Sequence, residues 1–239
     1  MSTNGKTVLV TGGTSGIGEA IAHAYARDGA RVIIAGRNEE RGEQVARELG
    51  DGARFIRADL GRLEDVERLA SEVNGVDVLV NNAGAFPFAP THEVESAEFD
   101  DTYALNVRAP FFLTAALAPR MAANGGGAIV NVTTMVASFG MPGAALYGST
   151  KAALELLTKT WAAEYGPQGV RVNAIAPGPT RTPGTESMGD GLDQLASTLP
   201  LNRPAEVAEI AAAAVFLGSD EASYINGAVL AVDGGRTAV

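Results

Sequence analysis

Thr7-Val-Leu-Val-Thr-Gly-Gly-Thr-Ser-Gly-Ile-Gly18 is the stretch on which the fold turns. Thr7 to Val10 is a short apolar run of strand type, and the glycine-rich turn Thr11 to Gly18 follows without a spacer. Ile17, Ile21, Ala24 and Tyr25 then recur at helical spacing until Asp28-Gly29 closes the pattern. Strand, glycine-rich turn and amphipathic helix in this order suit a diphosphate. The glycines allow a tight turn and close approach to the backbone, and the helix N-terminus offers free N–H groups and the positive end of its dipole.

Outward from this unit the alternation continues. Residues 31–35, 54–57, 76–80, 128–132, 170–175 and 228–232 read as further strands. Helical patterns occupy 38–49, 63–73, 99–123, 144–165 and 204–217. Strands alternating with helices predict an α/β fold, a seven-stranded parallel sheet doubly wound by right-handed crossovers with helices on both faces. No linker divides the chain, so residues 1–239 are expected to be one domain. Residues 177–202 form the one long irregular stretch, rich in Pro, Gly, Ser and Thr, and are expected to be a substrate-binding lid.

Composition narrows the function. With 239 residues the chain can bury a sizeable core, and no apolar run is long enough to span a bilayer. Met1 to Lys6 lacks the apolar centre of a signal peptide, and there is no cysteine for a disulfide or a thiolate metal site; a cytoplasmic protein is expected. A net charge of −10 argues against nucleic acid and anionic partner proteins. His23 and His92 stand far in sequence from any acidic cluster, so no metal site is expected, and the mixed charges of 38–48 read as a solvated helix face.

The chemistry centres on Tyr147-Gly-Ser-Thr-Lys151. A tyrosine and a lysine four residues apart share one helix face. A fixed ammonium favours the phenolate and draws the phenol toward the range where it exchanges protons with a carbonyl oxygen or an alcohol. In a doubly wound sheet, ligands bind beyond the carboxyl ends of the strands. The 11–18 turn, Asp59, the 81–84 loop, Thr133-Thr134 and Pro177-Gly178 all fall at those ends.

Taken together, the chain resembles the short-chain dehydrogenase/reductase family in its compact form, over nearly its whole length. The motifs are Thr11-Gly-x-x-x-Gly16-x-Gly18, Asn81-Asn-Ala-Gly84, Asn106, Tyr147-x-x-x-Lys151, Asn173-x-x-x-Pro177-Gly178 and Val232-Asp-Gly-Gly235. The resemblance implies a Rossmann-type fold and an NADP(H)-dependent oxidoreductase, with NAD(H) as the alternative cofactor. It makes Tyr147 the general acid/base and Lys151 the residue that lowers its pKa and holds the nicotinamide ribose. Asn106 becomes the residue whose backbone carbonyl holds a relay water, and Pro110, lacking an N–H, leaves that carbonyl free of its usual helical partner. The family's usual serine is replaced here by Thr134, thirteen residues before the tyrosine, with Ser138 as the rival hydroxyl. Gly12, Thr14, Ser15, Gly16, Ile17 and Gly18 are expected at the diphosphate. Asp59 and Leu60 are expected at the adenine, Asn82, Ala83 and Gly84 beneath the adenosine side, and Pro177, Gly178, Thr180 and Thr182 near the nicotinamide carboxamide. Asp59 has a second reading as a helix cap.

Cofactor choice is read at the end of the second strand, Ile34-Ala35-Gly36-Arg37-Asn38. Glycine stands where an NAD-specific member carries an acid, and Arg37 and Asn38 offer donors to a 2′-phosphate. The family's habits also imply a homotetramer, and Trp161 reads as packing or interface. Phe86, Phe88, Met135, Val136, Phe139 and Met141 suggest an apolar substrate. A 3-oxoacyl-type reductase is the nearest alternative, although Ala128 replaces a basic residue often used there for an acidic carrier protein. An isomerase, dehydratase or epimerase and a cofactor-binding regulator without turnover are the remaining alternatives.

Overall fold

Five consecutive buried residues form β1 (Thr7–Thr11), the burial that a central parallel strand requires. The computed structural model describes residues 3–239, so Met1 and Ser2, part of the signal-peptide reading, lie outside the described residues. After β1 come α1 (Gly16–Arg27), β2 (Arg31–Gly36), α2 (Glu39–Leu49), β3 (Arg54–Arg57), α3 (Leu63–Glu72) and β4 (Val78–Asn81). There follow α4 (Ser96–Tyr103), α5 (Ala109–Ala123), β5 (Gly127–Val132), α6 (Ala145–Tyr165) and β6 (Val170–Pro177). The chain ends with β7 (Thr180–Arg181), α7 (Asp190–Ala196), β8 (Ala205–Glu206), α8 (Val207–Gly218) and β9 (Val229–Val232).

Seven strands make one parallel sheet in the order β3-β2-β1-β4-β5-β6-β9. The chain runs outward through β2 and β3, then returns to the other side of β1 with β4, so the crevice opens where β1 and β4 diverge. Two apolar layers cover the sheet. Leu69, Leu113, Leu117, Leu154 and Trp161, from α3, α5 and α6, pack on one face. Ile21, Tyr25, Val45, Ile210 and Val215, from α1, α2 and α8, pack on the other. Trp161 is therefore a core residue, and among the described residues no helix is long and apolar enough to cross a membrane.

Three departures from the sequence reading bear on the site. The long helix expected over 99–123 starts earlier, at Ser96, and is interrupted by a wider turn at Ala104–Arg108, where the Ala109 N–H reaches the Ala104 carbonyl five residues back. The bulge lies immediately before Pro110, which removes one donor from the regular ladder. The irregular stretch 177–202 has structure of its own: β7, a 3₁₀ turn at Pro183–Met188, and α7. Finally, β7 pairs with β8 in a separate two-stranded ribbon, Thr180 with Ala205 and Arg181 with Glu206, which ties the stretch to the start of α8.

Candidate active site

A single cavity of about 740 Å³ runs across the carboxyl ends of the strands, from Arg37 at one end to Tyr147 at the other. Its floor is the glycine-rich turn. Gly12 and Gly16 have φ of 62° and 56°, left-handed values that a side chain disfavours. A Cβ on Gly18 would stand 2.2 Å from the Gly12 carbonyl oxygen and 2.4 Å from Asn82 Nδ2, so helix and turn meet there only because the residue is glycine. The turn is stapled to the 82–84 loop. The Thr11 hydroxyl accepts the N–H groups of Asn82 (3.0 Å) and Ala83 (3.1 Å), and Asn82 Nδ2 donates to the Thr11 carbonyl at 2.9 Å.

This floor fits a diphosphate on structural grounds. Ser15, the N-cap of α1, is extended and its side chain caps no N–H. The first turn of α1 thus presents backbone donors to the cavity with no side-chain acceptor of its own. Thr14, Ser15, Gly16, Ile17 and Gly18 line the cavity here, with Asn82, Ala83 and Gly84 opposite.

At the end formed by β2 and β3 the lining includes Gly36, Arg37, Asp59 and Leu60. Asp59 is not the cap of α3, whose N-cap is Arg62; its carboxylate instead accepts the Gly61 N–H at 3.1 Å and folds the chain after β3 back on itself. Asn38 does not line the cavity. Its side-chain oxygen caps α2 by accepting the Arg41 N–H at 2.9 Å, so of its side chain only the amide N–H groups are left for the role of donor expected of it.

The chemical end joins α6 to β5. Tyr147, Thr134 and Lys151 all line the cavity. Tyr147 lies between Phe86 and Phe88, with ring centroids 6.4 and 6.1 Å away. Burial pushes its phenol above the ordinary value, and a side-chain hydrogen bond with Thr134 draws it part of the way back. The sequence assigned that lowering to Lys151. Here the Lys151 ammonium donates to the Val132 carbonyl at 2.8 Å, and burial pushes its own pKa down to about 8. Thr134 is buried and begins a short turn, where its hydroxyl accepts the Val136 N–H at 3.4 Å; Ser138, the rival hydroxyl, is exposed and outside the cavity.

Asn106 is 1% exposed and does not line the cavity. Its side chain closes a two-way clasp on Ala85, accepting the N–H and donating to the carbonyl, each at 2.8 Å, and donates to the Thr150 hydroxyl at 3.0 Å. Thr150 in turn donates to the Tyr147 carbonyl at 2.7 Å, so one asparagine joins the 84–85 loop to the turn carrying the tyrosine. Sequence reasoning found the residue but not this use of its side chain.

Comparison with known proteins agrees with this geometry. A family model described as "Enoyl-(Acyl carrier protein) reductase" matches residues 12–237. D-threitol dehydrogenase of Mycolicibacterium smegmatis is 41% identical over 98% of this chain and 94% of its own. Cyclopentanol dehydrogenase of Comamonas sp. is 38% identical over 98% of each. A solved "short chain dehydrogenase/reductase family protein" is 53% identical with a TM-score of 0.96 over all of both chains. The chain belongs to the short-chain dehydrogenase/reductase family. A second solved member, from Beutenbergia cavernae with NADP bound at low occupancy, is 40% identical over all of this chain and 99% of its own, with a TM-score of 0.95. The protein is an NAD(P)-dependent oxidoreductase acting on the alcohol or carbonyl group of a small molecule.

Within this short-chain dehydrogenase/reductase, Pro177, Gly178, Thr180 and Thr182 line the cavity. Phe86, Phe88, Met135, Val136 and Met141 do as well; Phe139 does not, and packs instead under the Arg236 guanidinium, 4.9 Å from the ring centroid. Sequence reasoning missed Met188, Leu192 and Leu195, which line the cavity from the far side; their spacing in the weak helical patch was the available signal. Ala128 is 3% exposed within β5. The structure also gathers Glu19 and His23, one turn apart on α1, with Glu48 from α2, their ligand atoms within 4.8 Å of one another; only the approach of Glu48 was hidden by sequence separation. Glu19 there already has Arg41 as its counter-charge, at 2.9 Å.

Proposed function

We propose that the enzyme interconverts a secondary alcohol and its ketone using NADP(H), and that the substrate has an apolar body. One observation carries this reading. Around Tyr147 the lining is dominated by Phe86, Phe88, Met135, Val136, Met141, Met188, Leu192 and Leu195, with the hydroxyls of Thr134, Thr185 and Ser187 among them, and among the described residues Lys151 is the one charged side chain beside them; Arg37 and Asp59 lie at the other end. A site of this kind gives an anionic or heavily hydroxylated substrate few partners, and desolvating such groups unpaired is costly.

When bound, the nicotinamide supplies or accepts the hydride at the substrate carbon. The Thr134 hydroxyl holds the substrate oxygen. The Tyr147 hydroxyl gives that oxygen its proton in reduction and takes it back in oxidation. The Lys151 charge favours the phenolate left after the proton has gone. Asn106 positions both the 84–85 loop and the Tyr147 turn, and its carbonyl, with no N–H at Pro110 to meet, is available to water. Arg37 pairs with a 2′-phosphate at the end of β2.

Residues 177–202 act as the lid of the one domain, closing Met188, Leu192 and Leu195 over the substrate from the β7–β8 hinge. The protein works in the cytoplasm as a homotetramer. An acyl-carrier-protein substrate is the second reading, favoured by the description of the matching family model; the net charge of −10 disfavours docking of an acidic carrier.

The test is a panel of cyclic and aryl-alkyl ketones, polyols and sugar acids, followed by NADPH absorbance in the wild type and in Tyr147→Phe. Apolar ketones should be turned over fastest. The variant should bind cofactor and keep less than about a tenth of the rate. A preference for polyols or acids sinks the substrate assignment, and a fully active variant sinks the role of Tyr147.

A further inference from the structure

Arg41 lies four residues beyond Arg37, behind the cavity wall, and its side chain is bonded to a residue of that wall. Its backbone N–H is held by Asn38, the residue that follows Arg37. Its Nε donates to the carbonyl of Thr14 at 3.2 Å, and Thr14 lines the cavity and lies against Gly36. The guanidinium is thus fixed between the glycine-rich turn and the end of β2. It does not act there as a free cation. Nη2 is 2.9 Å from each oxygen of Glu19, and Nη1 has only a 3.4 Å contact with the Gln44 side-chain oxygen. Glu19 itself is one helical turn beyond Ser15 on α1, so it brings a carboxylate to Arg41 just behind the glycine-rich turn.

We propose that Arg41 and Glu19 together set how strongly the site distinguishes the phosphorylated from the unphosphorylated dinucleotide. Arg41 is a second cation for the 2′-phosphate beside Arg37, and Glu19 competes with the phosphate for it. Among the described residues no carboxylate pairs with Arg37, which lines the cavity and meets the phosphate directly, whereas the contribution of Arg41 is partly cancelled while Glu19 holds it. The proposal rests on the NADP(H) reading above. It adds that a moderate preference is built into the chain by an acidic residue that no feature of the β2 motif reveals.

Calorimetric titration of the unliganded protein with 2′,5′-ADP and with 5′-AMP tests this without turnover, and the AMP arm cancels any general loosening of the site. Glu19→Gln should raise the ratio of the two affinities about fivefold, as expected when a competing charge-assisted pair is removed near the surface. Arg41→Gln should lower it by a similar factor, Arg41→Lys should restore part of the loss, and Glu19→Gln combined with Arg41→Gln should behave as Arg41→Gln alone. A wild-type ratio above one that Glu19→Gln leaves in place, or that rises equally in the absence of Arg41, overturns the proposal while the cofactor reading stands. A ratio of one that Arg37→Gln does not alter overturns both.

Discussion

Lys151 donates its ammonium proton to the Val132 carbonyl at 2.8 Å, which ties the helix carrying Tyr147 to the strand end that leads into Thr134. The lysine is 4% exposed, and burial holds its pKa at about 8 instead of 10.5. Between those values the unfolded chain retains a proton that the folded chain has released, so this group adds stability as pH rises through the window. Lys151→Met has no such proton. The unfolding free energy of the cofactor-free wild type, minus that of the variant, should therefore increase by about 2 kcal/mol between about pH 7 and pH 10, measured from urea midpoints. A difference that is flat with pH would show that the lysine is not desolvated. Subtracting the variant cancels the loss of the Val132 hydrogen bond, which does not titrate.

Thr134 is the residue at which the chain departs from the family's usual serine. Its hydroxyl meets Tyr147 and also caps the turn after β5. Thr134→Ser keeps both functions and should stay within about tenfold of wild-type turnover. Thr134→Ala removes a hydrogen bond directed at the substrate oxygen and should lose on the order of a hundredfold. The melting temperature of both variants separates the cap from the chemistry. An alanine variant as active as wild type would end the assignment, and exposed Ser138 would not take its place.

The parts of the fold and site legible in the sequence are those set by local pattern. The apolar runs of β1, β2 and β5 lie between turn residues, and each is buried on both faces, so their hydrophobic content alone marks them. The glycine turn, Tyr147 and Lys151 are recognisable because the chemistry fixes their spacing. What was missed depends on distant residues or on elements too short to show a period. β7 and β8 have two residues each. Glu19 and Arg41 are joined across 22 positions. The interruption at Ala104–Arg108 follows from how the last turn before Pro110 closes, and the Asn38 side-chain oxygen caps the start of α2.

Among the exposed large apolar side chains, some lie on α5, α6 and the edge strand β9. Phe111, Phe112 and Leu156 are 41%, 40% and 66% exposed on α5 and α6, and Leu230 is 38% exposed on the edge strand β9. Large apolar groups gathered in this way are costly to leave in water, and two independent self-complementary contacts build a tetramer with two-fold axes. Sedimentation at micromolar protein should give a mass near four times the 24.5 kDa of one chain. Leu156→Glu with Phe112→Glu should halve the assembly while leaving the β9 contact intact. A wild-type mass of one chain would refute the tetramer.

Cofactor preference is the sharpest test of the site's far end. Gly36 offers no acid to repel a 2′-phosphate, and Arg37 lines the cavity beside it with a guanidinium able to fork onto phosphate oxygens. Wild-type kcat/KM should therefore be higher with NADPH than with NADH. Reversing the preference needs an acid at position 36 and removal of the arginine, which supplies repulsion and withdraws attraction together. The structure adds a third requirement. A Cβ at Gly36 would stand 2.9 Å from Thr14 Cγ2 and 3.2 Å from its hydroxyl oxygen, so Gly36→Asp pushes on the Thr14 side chain in the glycine-rich turn. Gly36→Asp with Arg37→Ile alone should weaken both cofactors, because the displaced Thr14 disturbs the diphosphate floor that they share. Adding Thr14→Ala opens the space, and the triple variant should favour NADH while recovering the efficiency that the double variant loses. Equal wild-type efficiency with the two cofactors would defeat the reading whatever the variants did. A triple variant no better than the double would show that the strain at Thr14 is not what limits the switch.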